Sequence, residues 1–336
     1  MKQAPKHPVR LERQGTIALI VIENPPVNAL GVAVRRGIAA ALNAAVAHDK
    51  TDAIVIAANG RTFPAGADIR EFDMAAQEPS LGQLFDLIEN APKPVVAAIH
   101  GTALGGGLEL AMAAHYRIAS SDARMGLPEI HLGLLPGAGG TQRLPRLIGA
   151  ELAFDMMMSG NQLSAGICAE IGLIDSVTSG DLRSEAVAYA RTLTEVRPTA
   201  LNRTHLMDGG DYMATVAARR AQVKADLGAG ALAPLKIVDC VEAALLLPMD
   251  AGLQLERAAF EDCLASRESA GLRHAFFAER RAAKFPEAAD AKPAKVERIA
   301  IVGGGTMGSG IAIAGLQSGF AVTLVEQGES GVNAAL

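Results

Sequence analysis

The chain has 336 residues, half of them hydrophobic and a fifth charged, so it is long enough for about two globular domains with sizeable cores. The formal net charge of -5 argues against a protein that binds nucleic acid or an anionic membrane surface, although a few local Arg or Lys side chains could still hold an anionic ligand. The most apolar segment, residues 95–119, contains His100, Glu109 and His115 together with a glycine cluster. A buried strand, loop and helix therefore explain it better than a membrane span.

The cysteines indicate a compartment rather than a site. Cys168, Cys240 and Cys263 lie far apart and have neither the spacing of a metal site nor that of a disulfide framework. We therefore predict no metal site and expect a reducing, cytoplasm-like compartment. A peroxisomal location stays open, because the end of this sequence at Leu336 says nothing about a targeting tail.

Short apolar runs bounded by turn residues alternate with helical patterns from the start of the chain. Residues 16–21 and 53–58 are predicted to be buried strands, and the Ala-rich stretch 32–47 between them is predicted to be a helix. Asp68, followed three residues later by Glu71, has the form of a capping box. A helix is therefore predicted to begin directly after Asp68.

The same alternation continues through the middle of the chain. Residues 94–99 form another predicted buried strand, and a helix is predicted from about 106 to 114; it is apolar nearly all round and should be central. Short strands are predicted at 117–119 and 124–127, before a glycine-rich loop at 133–140. Strand pairs that alternate with helices indicate an α/β core.

The last third of the chain changes character. Residues 186–281 are mainly helical in pattern, and residues 283–295 are rich in Ala, Lys and Pro, as linkers are. A new strand then opens a new unit at residue 298. We divide the chain into a core at 1–200, a helical region that completes it at 201–270, a linker helix and linker at 271–297, and a nucleotide-binding unit at 298–336.

The segment of residues 104–109, Leu-Gly-Gly-Gly-Leu-Glu, carries the first candidate chemistry. It puts unpaired backbone N–H groups at a helix start, with Glu109 three residues past Gly106, so that both can face one pocket. A tight turn with close packing also explains such glycines, and a buried structural acid also explains Glu109. An unpaired carboxylate in so apolar a helix would nevertheless be costly, so Glu109 is a candidate functional acid.

A second carboxylate, Glu129, follows Pro128 after a short predicted strand. The ordinary alternative is an exposed loop acid, which is the usual environment of Glu. An oxyanion flanked by two acid/base groups is what the enolate chemistry of acyl thioesters needs. The two acids and the glycine segment therefore form one candidate site.

Five spaced segments together resemble the crotonase superfamily, and specifically the enoyl-CoA hydratases. The resemblance covers about residues 10–200 and implies a crotonase-like spiral of β-β-α units. The segments are Asn-Pro-Pro-Val-Asn-Ala-Leu at 24–30, Ala-Gly-Ala-Asp-Ile at 65–69, Gly-Gly-Gly-Leu-Glu at 105–109, Pro-Glu at 128–129 and Leu-Pro-Gly-Ala-Gly-Gly-Thr-Gln-Arg-Leu at 135–144.

The rest of the chain extends this resemblance. Residues 269–280 resemble the linker helix of multifunctional fatty-acid oxidation enzymes, in which a hydratase/isomerase is fused to a 3-hydroxyacyl-CoA dehydrogenase. Residues from 298 onward resemble the start of that dehydrogenase. The N-terminal position of the hydratase part agrees with such a fusion.

The resemblance implies a role for each part of the candidate site. The backbone N–H groups of Ala67 and Gly106 would form an oxyanion hole for the thioester carbonyl. Glu109 would activate the water that attacks C3, and Glu129 would deliver or remove the proton at C2. Hydration needs both acids on one face of the substrate, whereas double-bond migration needs only a proton shuttle, chiefly Glu129.

The resemblance also implies contacts with the acyl-CoA. Asp68, Ile69 and Arg70 match the family's acyl-CoA contact segment. Arg70 would meet a CoA phosphate, although a solvated arginine at a helix start explains it nearly as well.

Three tempting alternatives near these motifs are rejected. His100 follows a buried strand and His131 lies in a loop, and neither is assigned as a base. Residues 136–141 are rich in glycine but lack the Gly-Lys-Ser/Thr ending of a phosphate-binding loop.

The last segment carries a dinucleotide-binding pattern. Gly303, Gly305 and Gly308 follow a predicted strand and open a helix, and Glu326 ends the next strand, 18 residues past Gly308. The glycines would approach the pyrophosphate of the cofactor and Glu326 its adenosine ribose, which favours NAD over NADP. Only strand, helix and strand precede Leu336, so we expect an incomplete Rossmann unit that binds NAD weakly or not at all and has no dehydrogenase activity.

The function hypothesis is an enoyl-CoA hydratase of fatty-acid β-oxidation that acts on 2-trans-enoyl-CoA thioesters without a cofactor, with Δ3,Δ2-enoyl-CoA isomerase activity left open. One alternative is an NAD-dependent 3-hydroxyacyl-CoA dehydrogenase as the main activity of a longer parent protein. Another is a non-catalytic acyl-CoA-binding module. Free-standing members of the family form trimers and fused members are often monomers, so the oligomeric state and the acyl chain length stay open.

Overall fold

The computed structural model describes residues 7–72, 74–75, 77–199, 205–226, 232–282, 294–328 and 331–333. It divides into two units, Met1–Phe277 and Ala278–Leu336. The four-segment division made from the sequence stays a prediction within this frame. Most of the predicted linker at 283–295 lies outside the described residues.

The first unit contains nine described strands and nine described α-helices, interleaved along the chain, and a tenth helix begins in it and extends past Phe277. The strands are β1 (Val9–Gln14), β2 (Ile17–Ile22), β3 (Ala53–Ala58), β4 (Val95–Ile99), β5 (Thr102–Leu104), β6 (Tyr116–Ser120), β7 (Arg124–Gly126), β8 (Leu163–Ser164) and β9 (Ser176–Thr178). The helices are α1 (Val32–Val46), α2 (Leu81–Glu89), α3 (Gly106–Ala113), α4 (Gly140–Ser159), α5 (Ala165–Glu170), α6 (Leu182–Arg191), α7 (Gly209–Asp226), α8 (Leu232–Leu246), α9 (Met249–Leu264) and α10 (Arg267–Ala282).

Two sheets organise this unit. The main sheet has the strand order β1-β2-β3-β4-β6-β9, in which β1 is antiparallel to β2 and all other pairs are parallel. A small sheet has the order β5-β7-β8. All six residues of β2 and all six of β3 are buried, as expected for parallel strands covered by helices on both faces.

Alternate residues of the central strands pack into different layers. Leu19 and Val21 of β2 lie in one apolar cluster with Val187 of α6. Ile20 lies in the main cluster with Ile38 of α1. The continuous apolar runs seen in the sequence are therefore strands with two buried faces, and the predicted α/β core is confirmed.

Helix α3 lies at the centre of the unit, and all eight of its residues are buried. Helix α4 packs against α3 and also against α8 and α9 of the helical region. The helices that follow residue 205 therefore cover the helix that begins at the glycine-rich loop. Within the described ranges, no helix combines the length and apolarity needed to cross a bilayer.

The predicted capping box at Asp68 is wrong in part. Asp68 caps only a 3-10 turn, Ile69–Glu71, and accepts a hydrogen bond from the amide of Arg70 at 3.1 Å. The Glu71 carboxylate instead accepts from the amide of Val32 at 2.8 Å and pairs with Arg35 at 2.7 Å. A distant helix start and a buried guanidinium outcompete the local bond, because the unpaired amide and the guanidinium both bind a carboxylate strongly.

The second unit is built from β10 (Arg298–Val302), α11 (Thr306–Gln317) and β11 (Ala321–Val325). The two strands pair in parallel, with Arg298 opposite Ala321 and Val302 opposite Val325. The predicted strand, helix and strand of a nucleotide-binding unit are therefore present. Val302 and Met307 are among its most exposed side chains.

Candidate active site

The turn between β5 and α3 can be made only with glycine. Gly105 has a φ of 50°, and a Cβ built on it would lie 2.6 Å from Oε1 of Glu129. A Cβ on Gly107 would lie 1.7 Å from the carbonyl oxygen of Pro64, far inside van der Waals contact. The glycines thus let the segment around residues 64–67 pass directly beside the start of α3.

Two backbone amides meet at this crossing. Gly106 is the first residue of α3, so its N–H has no acceptor within the helix. A Cβ built on Gly106 would lie 3.2 Å from the amide nitrogen of Ala67. Neither amide has a hydrogen-bond acceptor among the residues that the structure describes. Two neighbouring N–H groups of this kind are the arrangement that binds a single developing oxyanion.

The strand-like segment that carries Ala67 is held on both sides by backbone bonds. The carbonyl of Gly66 accepts from the amide of Leu30 at 3.0 Å, and the amide of Ala65 donates to the carbonyl of Val27 at 3.1 Å. These bonds fix the chain immediately before Ala67, so its amide is preorganised rather than mobile.

Glu109 is buried, with 2% of its surface exposed. Its Oε1 accepts from the amides of Ala138 at 2.9 Å and Gly140 at 2.8 Å, and its Oε2 accepts from none of the described residues. Burial raises the pKa of Glu109, while the two amides and the nearby Arg143 act in the opposite direction. One carboxylate oxygen is thus anchored and the other is left for chemistry.

Glu129 is not the exposed loop acid of the ordinary alternative. It lies in a 3-10 turn, Pro128–Leu132, after β7, and its Oε2 is buried without a hydrogen-bond partner among the described residues. Burial, and then repulsion by Glu109, raise the pKa of Glu129 well above its ordinary value of 4.5. Such a pair loses its protons in two linked steps, so one acid is favoured protonated while the other is ionised.

A third buried carboxylate, Glu256, was missed in the sequence analysis. It lies on α9 with 1% of its surface exposed, and accepts from the amide of Gly139 and from both the amide and the Oγ1 of Thr141. Burial, and then repulsion by Glu109, raise the pKa of Glu256 to about 8. The helical region thus contributes a titratable group to the site.

A buried cation lies beneath these acids. The Nη2 of Arg143 is 2.8 Å from Oε2 of Glu89, and its Nη1 donates to the carbonyl of Ala138 at 3.1 Å. The positive charge of Arg143 lowers the pKa of both Glu109 and Glu256, which partly offsets their burial. Arg143 therefore favours the ionised forms of Glu109 and Glu256, the two acids bound by the start of α4.

The predicted acyl-CoA contact segment lies beside the oxyanion amides. The guanidinium of Arg70 is largely exposed and forms two hydrogen bonds with the Asp68 carboxylate, at 2.8 and 2.7 Å, which lower the pKa of Asp68. Ile69, between them, is half-buried. The contact of these residues with acyl-CoA stays a prediction.

The two rejected histidines form no hydrogen bond with either acid among the described residues. His100 places Nε2 3.1 Å from the carbonyl oxygen of Gly60. His131 is exposed, and a Cβ built on Gly160 would meet its ring. Neither ring contacts Glu109 or Glu129 through a hydrogen bond between described residues.

The second unit brings its predicted residues together by itself. Gly303 has a φ of 97°, Gly305 caps the start of α11, and a Cβ on Gly308 would lie 1.7 Å from the carbonyl oxygen of Gly303. The carboxylate of Glu326 accepts from the amide of Gly304, which lowers the pKa of Glu326. An acid beside a glycine turn fits the adenosine side of NAD. These cofactor contacts remain predictions.

Comparisons with known proteins agree with this geometry. Residues 12–228 match the family described as enoyl-CoA hydratase/isomerase. Residues 298–336 match the family described as 3-hydroxyacyl-CoA dehydrogenase, NAD binding domain.

Similar individual proteins include two multifunctional enzymes. The peroxisomal bifunctional enzyme of Danio rerio is 41% identical over 321 residues, which cover 93% of this chain and 44% of the relative. A peroxisomal fatty acid beta-oxidation multifunctional protein of Arabidopsis thaliana is 37% identical over 327 residues, covering 92% of this chain and 45% of the relative. The chain thus spans less than half the length of these relatives.

A solved structure of an enoyl-CoA hydratase/isomerase from Pseudoalteromonas atlantica is similar as well. It has a TM-score of 0.61 and 25% identity, and the match covers 83% of this chain and 99% of that one. The predicted crotonase-like architecture is thereby confirmed. On its sequence, fold and site, this chain belongs to the enoyl-CoA hydratase/isomerase family.

Proposed function

We propose that the first unit is an enoyl-CoA hydratase of fatty-acid β-oxidation, which adds water across the C2=C3 bond of a 2-trans-enoyl-CoA. One observation carries the proposal: two adjacent free amides, at Ala67 and Gly106, stand beside a coupled pair of buried carboxylates, Glu109 and Glu129. The amides suit an oxygen that gains negative charge, and the acids suit the two proton transfers.

The first role belongs to the two amides. The thioester carbonyl oxygen accepts both N–H groups, and its negative charge grows as electrons of the C2=C3 bond move toward it. Each such donor contributes a few kcal/mol when the charge develops in a water-excluded site. Gly106 also stands at the positive end of α3, which favours an anion there.

Glu109 acts as the base toward water. Its Oε2 removes a proton while the water oxygen bonds to C3 of the substrate. The two amides on Oε1 hold the carboxylate in place and favour its ionised form. Glu109 ends this step protonated.

Glu129 acts as the acid toward C2. Its raised pKa favours the protonated form, which can give a proton to C2 as the enolate-like state returns to a thioester. One proton is taken and one is given, so the pair as a whole is unchanged in charge. Exchange between the two coupled acids, directly or through solvent, restores the starting state.

Isomerase activity at the same site is a second proposal, and the position of Glu129 favours it. Moving a double bond from C3 to C2 requires only that a proton leave one carbon and reach another. The buried Oε2 of Glu129, which has no partner among the described residues, is suited to carry that proton. Substrate contacts by Asp68, Ile69 and Arg70 are proposed for both reactions.

The proposal is tested with crotonyl-CoA, whose enoyl-thioester ultraviolet absorbance disappears on hydration. Wild type should consume the substrate, and Glu109→Gln or Glu129→Gln should be far slower. Glu151→Gln makes the same chemical change at an exposed position on α4 and should match wild type. If wild type and both site variants are equally slow, the hydratase proposal falls; binding without turnover would favour the acyl-CoA-binding alternative.

A dehydrogenase activity is proposed only for a longer protein. NAD, when bound, supplies a hydride acceptor; Gly303, Gly305 and Gly308 would hold its pyrophosphate and Glu326 its ribose. The two-stranded sheet of this unit leaves Val302 exposed, so we expect weak NAD binding or none, and no NAD reduction with 3-hydroxyacyl-CoA. Micromolar NAD binding in calorimetry would overturn this expectation.

The unpaired thiols support a proposal for the cellular location of the protein. Cys168, Cys240 and Cys263 are all buried and unpaired with one another, which suits a reducing compartment such as the cytoplasm. The relatives named above are peroxisomal by name, so a peroxisomal location is the alternative.

A further inference from the structure

We propose that Glu256, on α9 of the helical region, is a positioning residue for Glu109 that fixes the turn whose amides orient the catalytic carboxylate. The inference rests on the proposed hydratase function. It concerns a residue far along the chain from the motifs of the site, in a region that the sequence analysis assigned only to completing the core.

Four successive amides at the start of α4 are shared between two carboxylates in strict alternation. The amides of Ala138 and Gly140 donate to Oε1 of Glu109. The amides of Gly139 and Thr141 donate to Oε1 and Oε2 of Glu256, respectively. The orientation of each peptide therefore depends on its neighbours, and Glu256 holds the two peptides that alternate with those bound to Glu109.

The turn needs such a support because its own sequence is flexible. Gly139 has a φ of 103°, a conformation that glycine enters and leaves freely. Thr141 strengthens the support, since its Oγ1 also donates to Glu256. Among the described residues, backbone bonds hold this turn only from the carbonyl side, where Gly139 accepts from the amides of Gln142 and Arg143. Glu256 holds it from the amide side, between the two amides that bind Glu109.

Glu256 is itself held in place through α8. Gln142 Nε2 donates to Oγ1 of Thr141 at 3.0 Å and to the carbonyl of Cys240 at 2.9 Å. The hydroxyl of Thr141 accepts from Gln142 and donates its own proton to Glu256. The chain of bonds from α8 through α4 to α9 thus sets the rotamer of the supporting carboxylate.

The plain alternative is that Glu256 only caps α4. An acid at a helix N-terminus stabilises the helix, and such a role would change stability but not the chemistry. A positioning role must instead change kcat and the titration of Glu109. The amides of Ala138 and Gly140 lower the pKa of Glu109, so a turn that loses its support should lose part of that effect.

Several other titratable groups surround Glu256. The titratable groups that face Glu256 are Glu109 of α3, Glu129 of the 3-10 turn, Arg143 of α4 with its partner Glu89 of α2, and Cys240 of α8. All of them remain in a Glu256→Gln variant. A changed titration of Glu109 in that variant therefore reports the loss of the Glu256 carboxylate.

The test compares Glu256→Gln and Glu256→Asp with Glu261→Gln, an exposed acid on the same helix. Glu256→Gln should lower kcat for crotonyl-CoA about 10-fold to 100-fold, because only one of the two acceptor oxygens remains. Its KM should stay within about twofold of the wild-type KM. Its acidic limb of kcat against pH should move to higher pH, since the amides of Ala138 and Gly140 lower the pKa of Glu109 only while the turn holds them on its carboxylate. Glu256→Asp keeps both acceptor oxygens on a shorter side chain, so its loss of kcat and its shift should be smaller than those of Glu256→Gln, and Glu261→Gln should behave as wild type.

Wild-type kcat and pH profile in Glu256→Gln, with only a lower melting temperature, would reduce Glu256 to a helix cap and overturn the proposal. If the Glu256 variants do not fold, Thr141→Val decides: it removes one donor to Glu256 and should lower kcat about threefold to tenfold, and an unchanged kcat would overturn the proposal. A carbon-13 titration of the Glu109 carboxylate does not depend on turnover. A pKa of Glu109 equal in wild type and Glu256→Gln would overturn the proposal even if the hydratase assignment itself failed.

Discussion

Glu109 of α3 and Glu256 of α9 accept hydrogen bonds from alternate amides of one short stretch of backbone, residues 138–141. The strand-and-helix core and the helical region therefore meet at a polar contact inside the site, not only across an apolar surface. Arg143, one turn further along α4, places a positive charge near both acids. The geometry of this stretch should consequently control both stability and rate.

The two catalytic acids should separate the two proposed reactions. Glu109→Gln should lower hydration of crotonyl-CoA by about 10²-fold to 10⁴-fold, the usual contribution of a general base, but should lower isomerisation of a 3-enoyl-CoA much less. Glu129→Gln should lower both, because both require a proton at C2. Parallel assays of the two substrates check this, and equal losses of both reactions in Glu109→Gln would contradict the assignment of roles.

Stability should fall as the pH rises toward the alkaline side. Because the pKa of Glu256 is about 8 in the folded chain and about 4.5 when unfolded, the folded state binds more protons between these two values. The free energy of unfolding should therefore decrease from about pH 4.5 to about pH 8. Urea unfolding across this range should give a flatter dependence for Glu256→Gln, whereas the exposed Glu261→Gln should keep the wild-type slope. Parallel curves for all three proteins would show that burial of Glu256 does not make the free energy of unfolding depend on pH.

Gly105→Ala should damage the site more than the fold. The positive φ costs an alanine about 1–2 kcal/mol, and the added Cβ would displace the Glu129 carboxylate, which lies 2.6 Å away. We expect kcat to fall at least about tenfold while thermal unfolding remains cooperative. Gly166→Ala is the matched control: a Cβ there meets nothing within 4 Å, and α5 should gain about 0.5–1 kcal/mol. A Gly105→Ala enzyme with wild-type kcat would place Glu129 outside the reaction.

Arg143→Met should destabilise the chain strongly and also change its chemistry. Removing the cation from buried Glu89 should cost about 3–5 kcal/mol of unfolding free energy, as for other broken buried pairs. The pKa of Glu109 should rise further, so the acidic limb of the activity profile should move to higher pH. Lys236→Met breaks an exposed pair with Asp262 and should cost less than about 1 kcal/mol. Similar losses in the two variants, or an unmoved limb, would contradict the role given to Arg143.

The sequence predicted the inner part of the site for a physical reason. Glu109 is an acid in a helix whose other faces are apolar, and this pattern indicates a buried carboxylate with a functional role. The same reasoning would have found Glu256, because Gly252, Glu256 and Ala259 follow a helical period of buried positions on α9. Its partners could not be found that way, since they lie more than a hundred residues earlier and local periodicity carries no information about them.

The capping box shows the opposite limit. The local motif at Asp68 is genuine, but the partner expected for it, Glu71, caps the first amide of α1 and pairs with Arg35. Local signals place elements well where apolar runs continue, as in β2 and β3. They fail where a charged side chain can bind either a neighbour in sequence or a distant helix start, because tertiary packing determines which partner it binds.

Hydration of crotonyl-CoA in deuterium oxide, followed by NMR analysis of the 3-hydroxy product, tests the central claim most directly. We predict that wild type places deuterium at C2 on the same face as the hydroxyl at C3, because Glu109 and Glu129 work from one side of the substrate. Replacing both acids by Gln should abolish the reaction. Addition from opposite faces, or a wild-type rate no higher than that of the double variant, would contradict the proposed mechanism.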